Sequence, residues 1–234
     1  MTPYFQNDLV TIYHGNCFDI LPSIRNVDLI FTDPPYWTLN KWRNVGTTTR
    51  LGGHRDVGKQ SGWFTTIDQE ELWKLMCECY RLLSKDRHCC IMSDGQTLRH
   101  VLGYYEEADF SYAKPIIWDK VKPGMGYHLR CRHEFIVLMD KGKNRKPKDL
   151  GMADIITIPM VTGGYPTEKP AALPDVFIQQ YTEPGELVLD PFMGAGSTVI
   201  AAHSAGRRAI GIDVSQEACD ITISRLKGTG GLFE

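Results

Sequence analysis

Long apolar runs are missing from this sequence. No stretch of the 234 residues approaches the roughly 18 uninterrupted apolar residues that a membrane-spanning helix requires. The first residues also lack the basic segment followed by an apolar run that opens a secretion signal. We therefore expect a cytoplasmic protein without membrane contact. With 42% hydrophobic residues the chain can bury a full core, and we expect one domain spanning residues 1–234.

Cysteine spacings typical of a zinc site are missing too. The seven cysteines are an odd number, and the two close pairs, at 77 and 79 and at 89 and 90, do not form Cys-x-x-Cys. Both pairs fall in segments that read as a helix and a strand, where a reduced thiol packs like a small apolar side chain. We expect free, mostly buried thiols and no bound metal.

Acidic and basic residues are unevenly distributed, although the net charge is only −2. Residues 41–59 carry five Lys or Arg against one acid, and residues 120–148 carry nine against two. The rest of the chain is therefore acidic. Local basic surfaces on an acidic body are typical of contact with a polyanion, while two solvated basic loops would give the same counts.

A short apolar run ends abruptly at two prolines. Residues 27–32 predict a buried parallel strand, and Asp33-Pro34-Pro35-Tyr36 follows it directly. Because proline cannot donate a ladder hydrogen bond, the strand must stop here and present the tetrad in an extended turn. Residues 37–63 then lose all periodicity, and a connection of this length inside a compact domain is typical of a mobile lid.

Helical and strand periods alternate over the rest of the chain. Asp68 and Glu71 predict a capping box, and an apolar stripe extends the helix to Leu83. Further strands are predicted at residues 88–92, 115–118, 134–139, 187–190 and 209–212, and further helices at residues 96–108, at residues 170–181 and ending near residue 204. We expect the strands at 115–118 and 134–139 to pair as neighbours near one edge of a sheet.

Residues 187–213 predict one βαβ unit with a glycine-containing turn. Gly194 and Gly196 let the backbone approach a ligand closely, and Asp213, at the end of the second strand, can accept hydrogen bonds from ribose hydroxyls. On its own, a Gly-x-Gly indicates a tight strand-to-helix turn more than a ligand site. A dinucleotide dehydrogenase fits poorly, because the third fingerprint glycine is absent and Asp190-Pro191 separates the strand from the glycines.

Longer strings in this region carry a family resemblance. Residues 189–198 (Leu-Asp-Pro-Phe-Met-Gly-Ala-Gly-Ser-Thr) resemble the S-adenosylmethionine motif of DNA amino-methyltransferases, and residues 165–170 (Tyr-Pro-Thr-Glu-Lys-Pro) resemble their His-Pro-Thr-x-Lys-Pro motif. Because the tetrad precedes the glycine motif, the resemblance is to the β group of that family, and it covers residues 16 to about 226. It implies a three-layer, Rossmann-like α/β methyltransferase fold with a seven-stranded mixed sheet.

The resemblance also implies contacts to the cofactor, S-adenosylmethionine. Asp190 and the backbone of residues 192–196 would surround its methionine part, with Thr167 and Lys169 holding the carboxylate. Asn16 stands where the family commonly has aspartate, and its amide can accept from the adenine amine and donate to a ring nitrogen. The expected cofactor-binding residues are Asn16, Cys17, Asp33, Thr167, Lys169, Asp190, Phe192, Gly194, Gly196, Ser197, Thr198 and Asp213.

The tetrad supplies what an exocyclic amine needs in order to accept a methyl group. The lone pair of such an amine is delocalised into the base ring, which makes it a poor nucleophile. The Asp33 carboxylate and the Pro34 carbonyl can accept the two amine hydrogens and let the nitrogen become tetrahedral. Tyr36 offers a stacking face to a base flipped out of the duplex. The expected catalytic residues are Asp33, Pro34, Pro35 and Tyr36.

We expect double-stranded DNA to contact two basic regions. The loop at 37–63, closing over a flipped base, would bring its cations to phosphates. Its candidates are Arg43, Arg50, Arg55 and Lys59. Residues 120–163 would form the second region, which offers a short segment for reading the DNA sequence, and its candidates are Lys120, Lys122, His128, Arg130 and Arg132.

Several substrates and assemblies remain open from the sequence. An aspartate at the head of the tetrad favours adenine N6 in the family, while cytosine N4, an RNA adenine and a catalytically silent DNA-binding module are the alternatives. Cytosine-C5 methylation is disfavoured, because it needs a nucleophilic cysteine, usually after proline, and no Pro-Cys occurs. The β-group resemblance is compatible with a homodimer and with a cognate restriction enzyme.

Overall fold

The computed structural model describes residues 2–37, 66–124, 128–143, 145–162 and 168–229. Its strands are β1 (Phe5–Gln6), β2 (Val10–His14), β3 (Val27–Thr32), β4 (Leu83–Ser93), β5 (Tyr112–Asp119), β6 (His133–Lys141), β7 (Ile155–Thr157), β8 (Leu187–Asp190) and β9 (Arg208–Asp213). Its helices are α1 (Cys17–Ile20), α2 (Gln69–Leu82), α3 (Leu98–Tyr104), α4 (Ala172–Tyr181), α5 (Ser197–Ser204) and α6 (Gln216–Thr229). Within these ranges, no helix combines the length and the apolar character needed to cross a membrane.

The strands form one mixed sheet in the order β1-β2-β9-β8-β3-β4-β6-β5-β7. Strands β2, β9, β8, β3 and β4 are parallel neighbours, while β6 runs antiparallel to both β4 and β5. Strand β5 consequently points the same way as β4. The carboxyl ends of these six strands therefore meet at one edge. There the chain continues into Asp33, Asp94 and Lys120, and there Asp190 and Asp213 end their strands.

Side-chain alternation along the sheet separates two cores. Leu29 and Phe31 of β3 pack in a cluster with α4, α5 and α6, whereas Ile30 between them packs in a second cluster with α1, α2 and α3. Helix α2 begins as predicted, because Asp68 accepts the backbone N–H of Glu71 at 2.9 Å and Glu71 accepts that of Asp68 at 2.9 Å. The predicted three-layer α/β fold is confirmed.

The sheet has nine strands among the described residues, where seven were predicted. The two extra strands, β1 and β7, have two and three residues and lie at the outer edges, flanking a seven-stranded centre. Segments this short carry no readable alternation, which explains the difference. Strand β2 was also absent from the pattern, whereas β5 and β6 pair as predicted.

Candidate active site

An open cavity of about 1200 Å³, measured together with its mouth, lies at the carboxyl edge of the sheet. Ten of the residues predicted to bind the cofactor line it: Asn16, Cys17, Asp33, Lys169, Asp190, Phe192, Gly194, Ser197, Thr198 and Asp213. Phe18, Phe31 and Met92 supply apolar wall. The predicted catalytic carboxylate and the predicted cofactor residues thus face one shared space.

The charge of this cavity is predominantly negative. Among the described residues that line it, the carboxyl groups belong to Asp33, Glu71, Glu168, Asp190 and Asp213, and Lys169 contributes an ammonium group. Burial raises the pKa of Asp190 to about 7, and burial also raises the pKa of Asp213. A cationic ligand would stabilise the charged forms of these carboxyl groups, whereas the pyrophosphate of a dinucleotide would be repelled by them.

The turn between β8 and α5 is fixed by the two aspartates at the strand ends. The Asp190 carboxylate accepts the backbone N–H of Phe192 at 3.1 Å, and the Asp213 carboxylate accepts that of Gly194 at 2.9 Å. Asp213 also accepts the N–H of Ser215 at 2.8 Å. The Ser197 hydroxyl donates to the Lys169 carbonyl at 2.5 Å. These bonds join the glycine turn to the segment that carries Lys169.

Gly196 has a different role from the one predicted. It does not line the cavity, and a Cβ placed on it would lie 2.3 Å from Cγ2 of Thr222, which is fully buried on α6. Its φ of 79° also lies in the left-handed region. Gly196 therefore lets α5 pack against α6. Gly194 does line the cavity, and a Cβ there would meet nothing within 4 Å.

Alanine at Gly196 is expected to destabilise the protein by about 3 kcal/mol, because it adds a collision to the cost of a left-handed alanine. Gly185 provides a matched control, since its φ is 83° and a Cβ there would meet nothing within 4 Å. Gly185→Ala should cost only about 1 kcal/mol. Denaturant unfolding measures both variants, and equal losses of stability would contradict the packing role of Gly196.

The chain after β2 forms a second wall. The Asn16 side-chain oxygen caps α1 by accepting the N–H of Phe18 at 3.0 Å. Its amide NH₂ is left to donate, so the structure favours the donor half of the role predicted for Asn16. Burial raises the pKa of the adjacent Cys17 thiol to about 12, which makes that cysteine an inert wall residue.

Lys169 stands within a partly buried chain of alternating charges. Its ammonium group donates to Oδ2 of Asp33 and lies 3.7 Å from Oε2 of Glu134. The Lys120 ammonium lies 3.1 Å from Oε1 of the same Glu134. We call this series Lys120, Glu134, Lys169 and Asp33 the charge chain.

The charge chain shifts the pKa values of its members in different directions. Burial raises the pKa of Asp33, Lys169 lowers it and Glu134 raises it, with a net rise. Burial also acts to raise the pKa of Glu134, but Lys169 and Lys120 hold that pKa below its usual range. Burial disfavours the charge of Lys169, yet Asp33 and Glu134 raise its pKa above the ordinary value. The surroundings therefore favour the protonated form of Asp33 and the charged form of Glu134, each relative to the same group in water.

Pro34 and Pro35 follow the strand as predicted, whereas the ring of Tyr36 is covered. Pro34 is buried, and no donor among the described residues is hydrogen-bonded to its carbonyl, while the Pro35 carbonyl accepts the N–H of Ile67 at 2.8 Å. Tyr36 is only 5% exposed and does not line the cavity. The ring is covered in this structure, so its stacking on a flipped base stays a prediction.

The residues predicted to contact DNA divide into three kinds. Lys120 is a correction: it is 8% exposed and paired with Glu134, so its ammonium group faces the site and not the solvent. Arg132 is half exposed but is held by Asp119 at 2.6 and 2.7 Å. Lys122, His128 and Arg130 are exposed, and Arg130 donates to the carbonyls of Pro123 and Gly124 at 2.9 Å.

Several predicted site residues lie outside the described residues. They are Arg43, Arg50, Arg55 and Lys59 of the loop predicted at 37–63, and Thr167 of the segment before Lys169. Conversely, the structure adds site residues that the sequence did not single out. Glu134 belongs to the charge chain, and Glu168 lines the cavity while paired at 3.0 Å with Arg225, which also donates to the Ala195 carbonyl at 2.6 Å.

Comparisons with known proteins identify DNA methyltransferases that are similar to this chain. M.HinfI, a type II methyltransferase of Haemophilus influenzae, is 29% identical over 255 residues, covering 94% of this chain and 69% of that protein. The DNA adenine methyltransferase YhdJ of Escherichia coli is 25% identical over 265 residues, covering 95% of this chain and 84% of that protein. The crystal structure of the M1.HpyAVI–SAM complex has the same fold, with a TM-score of 0.69 and 23% identity over 93% of this chain and 100% of that one.

A family model gives the assignment. The model described as DNA methylase, N6_N4_Mtase, matches residues 27–155 and 152–224. These two matches span the tetrad, the charge chain, the glycine turn and most of α6. The protein is therefore a member of the DNA methylase family of N6 and N4 amino-methyltransferases.

Proposed function

We propose that this protein transfers a methyl group from S-adenosylmethionine to the exocyclic N6 amine of an adenine flipped out of double-stranded DNA. The observation that carries the proposal is the shared cavity, in which the Asp33 carboxylate faces the same space as Asp190, Gly194 and Asp213. Family membership supports amino-methylation of DNA. Adenine as the target base is a separate part of the proposal, because the family includes both N6 and N4 enzymes.

The residues around the cavity fit S-adenosylmethionine. When bound, this cofactor supplies an electrophilic methyl group on a sulfonium cation, which the carboxylates of the wall suit. Asp213 and Asn16 line the cavity; Asp213 would accept from ribose hydroxyls, and the Asn16 amide would donate to the adenine ring. Lys169 has three N–H donors, so one is left for the methionine carboxylate beside its bonds to Asp33 and Glu134. M1.HpyAVI, which shares the fold, is known as a complex with this cofactor.

Asp33 and Pro34 would activate the target amine. Each offers an acceptor at the end of β3: Oδ1 of Asp33 and the carbonyl oxygen of Pro34 have no donor among the described residues. If the two amine hydrogens bond to these oxygens, the nitrogen lone pair is drawn out of conjugation and directed at the methyl group. The raised pKa of Asp33 also suits it to take the proton that the amine loses after methylation.

The exposed cations beside the cavity would hold the DNA backbone. The connection from β5 to β6 leaves the sheet at the edge that carries Asp33, and it presents Lys122, His128 and Arg130. We propose that residues 120–163 contact the DNA and that the loop at 37–63 closes over the flipped base. Both contacts would bring recognition of the DNA sequence and catalysis to the same edge of the sheet.

Adenine is favoured over cytosine by two observations. The tetrad begins with Asp33, which the family tendency associates with adenine, and one relative is named a DNA adenine methyltransferase. Cytosine N4 is the second candidate, because the family model includes both kinds of amine. The acceptor chemistry of Asp33 serves either base.

Nucleoside mass spectrometry tests the choice of base and polymer. Duplex DNA and RNA of matched sequence are incubated with S-adenosylmethionine and the purified protein, digested and analysed. We expect N6-methyladenine in the DNA and no methylated nucleoside above background in the RNA. N4-methylcytosine without N6-methyladenine would contradict the adenine proposal, and methylation of RNA alone would contradict the DNA proposal.

A further inference from the structure

We propose that Glu134 is a positioning residue for methyl transfer, which shares Lys169 with Asp33 and so keeps an oxygen of Asp33 available to the target amine. The inference rests on the proposed role of Asp33 as acceptor. It assigns a task to a glutamate on β6, 101 residues away in sequence from Asp33, and to Lys120, which the sequence had placed on the DNA surface.

The geometry of Lys169 is that of a shared cation. Its ammonium group reaches two carboxylates from different strands, Asp33 after β3 and Glu134 on β6. An ammonium group has three N–H donors and no preferred plane, so it can divide between two acceptors. Within the described part of the chain, Oδ1 of Asp33 has no hydrogen-bond partner, while its Oδ2 accepts from Lys169. That leaves one carboxylate oxygen for the amine.

Lys120 competes with Lys169 for the carboxylate of Glu134, and so weakens the pull of Glu134 on Lys169. Lys120 is 8% exposed, and its ammonium group lies 3.1 Å from Oε1 of Glu134, whereas that of Lys169 lies 3.7 Å from Oε2. The longer contact to Lys169 is the weaker one, as expected for a glutamate already engaged by a second cation. The charge chain contains two cations and two anions, so its net charge is zero. Loss of Glu134 and loss of Lys120 therefore shift the electrostatic balance at Asp33 in opposite directions.

The remaining groups that face Asp33 do not replace Glu134. Asp94, after β4, adds to the rise in the pKa of Asp33, and the carboxyl group of Asp190 on β8 also interacts with Asp33. The Tyr36 hydroxyl faces the same carboxylates and is itself uncharged at neutral pH because burial raises its pKa. Lys169 is thus the cation that neutralises Asp33 among the described residues, and its sharing with Glu134 sets how basic Asp33 is.

Titration of Asp33 in the cofactor-free protein tests this inference directly. Protein labelled with ¹³C at the aspartate carboxyl carbons is titrated by NMR, and the Asp33 resonance is identified by its loss in Asp33→Asn. Glu134→Gln removes a negative charge and leaves Lys169 wholly to Asp33, so the midpoint should fall by about one pH unit. Lys120→Met removes a positive charge and lets Glu134 take more of Lys169, so the midpoint should rise. Glu134→Asp keeps the negative charge, so its Asp33 midpoint should lie close to that of the unaltered protein.

Transfer assays on the same proteins connect the titration to function. In Glu134→Gln, kcat for labelled methyl transfer to duplex DNA should fall about tenfold, because Lys169 then competes with the target amine for the Asp33 carboxylate. The acid limb of its pH profile should move to lower pH together with the NMR midpoint, and the affinity for S-adenosylmethionine should change less than kcat. The control is Glu106→Gln, which removes an exposed carboxylate on the surface and should leave all three quantities unchanged.

Two results would overturn the role of Glu134. One is an unchanged Asp33 midpoint in Glu134→Gln, and the other is a shift of the same sign in Glu134→Gln and Lys120→Met, since a merely structural defect has no reason to reverse. Failure of the unaltered protein to methylate any duplex DNA would contradict the proposed function instead. The two failures are distinguishable, because the titration needs neither cofactor nor DNA.

Discussion

Replacement of Asp33 by alanine is expected to lower kcat for methyl transfer about 10³-fold, while S-adenosylmethionine binding stays nearly unchanged. The carboxylate is proposed to act on the target amine, and its removal takes away an acceptor that matters most as the nitrogen becomes tetrahedral. The fold should survive, because Lys169 keeps Glu134 as a partner. Single-turnover transfer of labelled methyl groups to duplex DNA and calorimetric titration with the cofactor measure the two effects separately.

A graded variant sharpens this prediction. Asp33→Asn keeps one acceptor oxygen in the same position but loses the negative charge, so its kcat should lie between those of the alanine variant and the unaltered protein. Equal losses of cofactor affinity and kcat in Asp33→Ala would contradict the assignment of this carboxylate to the base. Similar kcat values for Asp33→Ala and Asp33→Asn would show that the negative charge of Asp33, and not its acceptor oxygen, accounts for its contribution to kcat.

Replacement of Asp213 by alanine is expected to weaken S-adenosylmethionine binding about 10- to 100-fold, with kcat at saturating cofactor close to that of the unaltered protein. Two lost hydrogen bonds from ribose hydroxyls to a carboxylate account for an effect of this size. Loss of the bond from the Gly194 N–H, which is 2.9 Å from the same carboxylate, adds to it by loosening the glycine turn. Calorimetric titration measures the affinity.

Asp19→Ala is the matched control for this prediction. Asp19 is an exposed aspartate on α1 that does not line the cavity, so its loss should leave the cofactor affinity unchanged. Thermal unfolding of the Asp213 variant separates a local loss of contacts from a general loss of structure. An affinity within threefold of the unaltered protein would exclude Asp213 from the cofactor site.

Much of the fold, and the positions of Asp33, Asp190 and Gly194 in the site, could be predicted from sequence because their signals are local. A strand that stops at two prolines places Asp33 at a sheet edge, and a strand followed by a glycine turn places Asp190 and Gly194 there too. Parallel strands then bring these distant segments together, since their carboxyl ends share one edge. The strand pattern predicts that these residues are neighbours, and the family resemblance predicts their chemical roles.

The charge chain could not be predicted, because it depends on which strands are neighbours. Glu134 reaches Lys169 only because β6 is inserted antiparallel between β4 and β5. A lysine after a strand, in a basic segment, reads as solvent-exposed, and nothing local in the sequence reveals that Lys120 is buried against a glutamate 14 residues later. Charge counts therefore overstated the basic surface available to DNA.

Gly196 shows the same limit on a smaller scale. A glycine in a Gly-x-Gly turn can serve a ligand or a neighbouring helix, and the two uses look identical in sequence. Only the position of Thr222 on α6 distinguishes them. Likewise Tyr36 reads as a stacking platform from its place in the tetrad, while its 5% exposure follows from packing at the end of β3 and its bridge to Ile67.

Mapping of modified bases in DNA from a methylation-free host is the most direct test of the central claim that Asp33 activates an adenine amine. The host expresses the unaltered protein or, in parallel, Asp33→Ala, and long-read sequencing reports the modified base and its sequence context together. We expect N6-methyladenine at a recurring sequence with the unaltered protein and none with Asp33→Ala. N4-methylcytosine in its place, or N6-methyladenine that persists in Asp33→Ala, would contradict it.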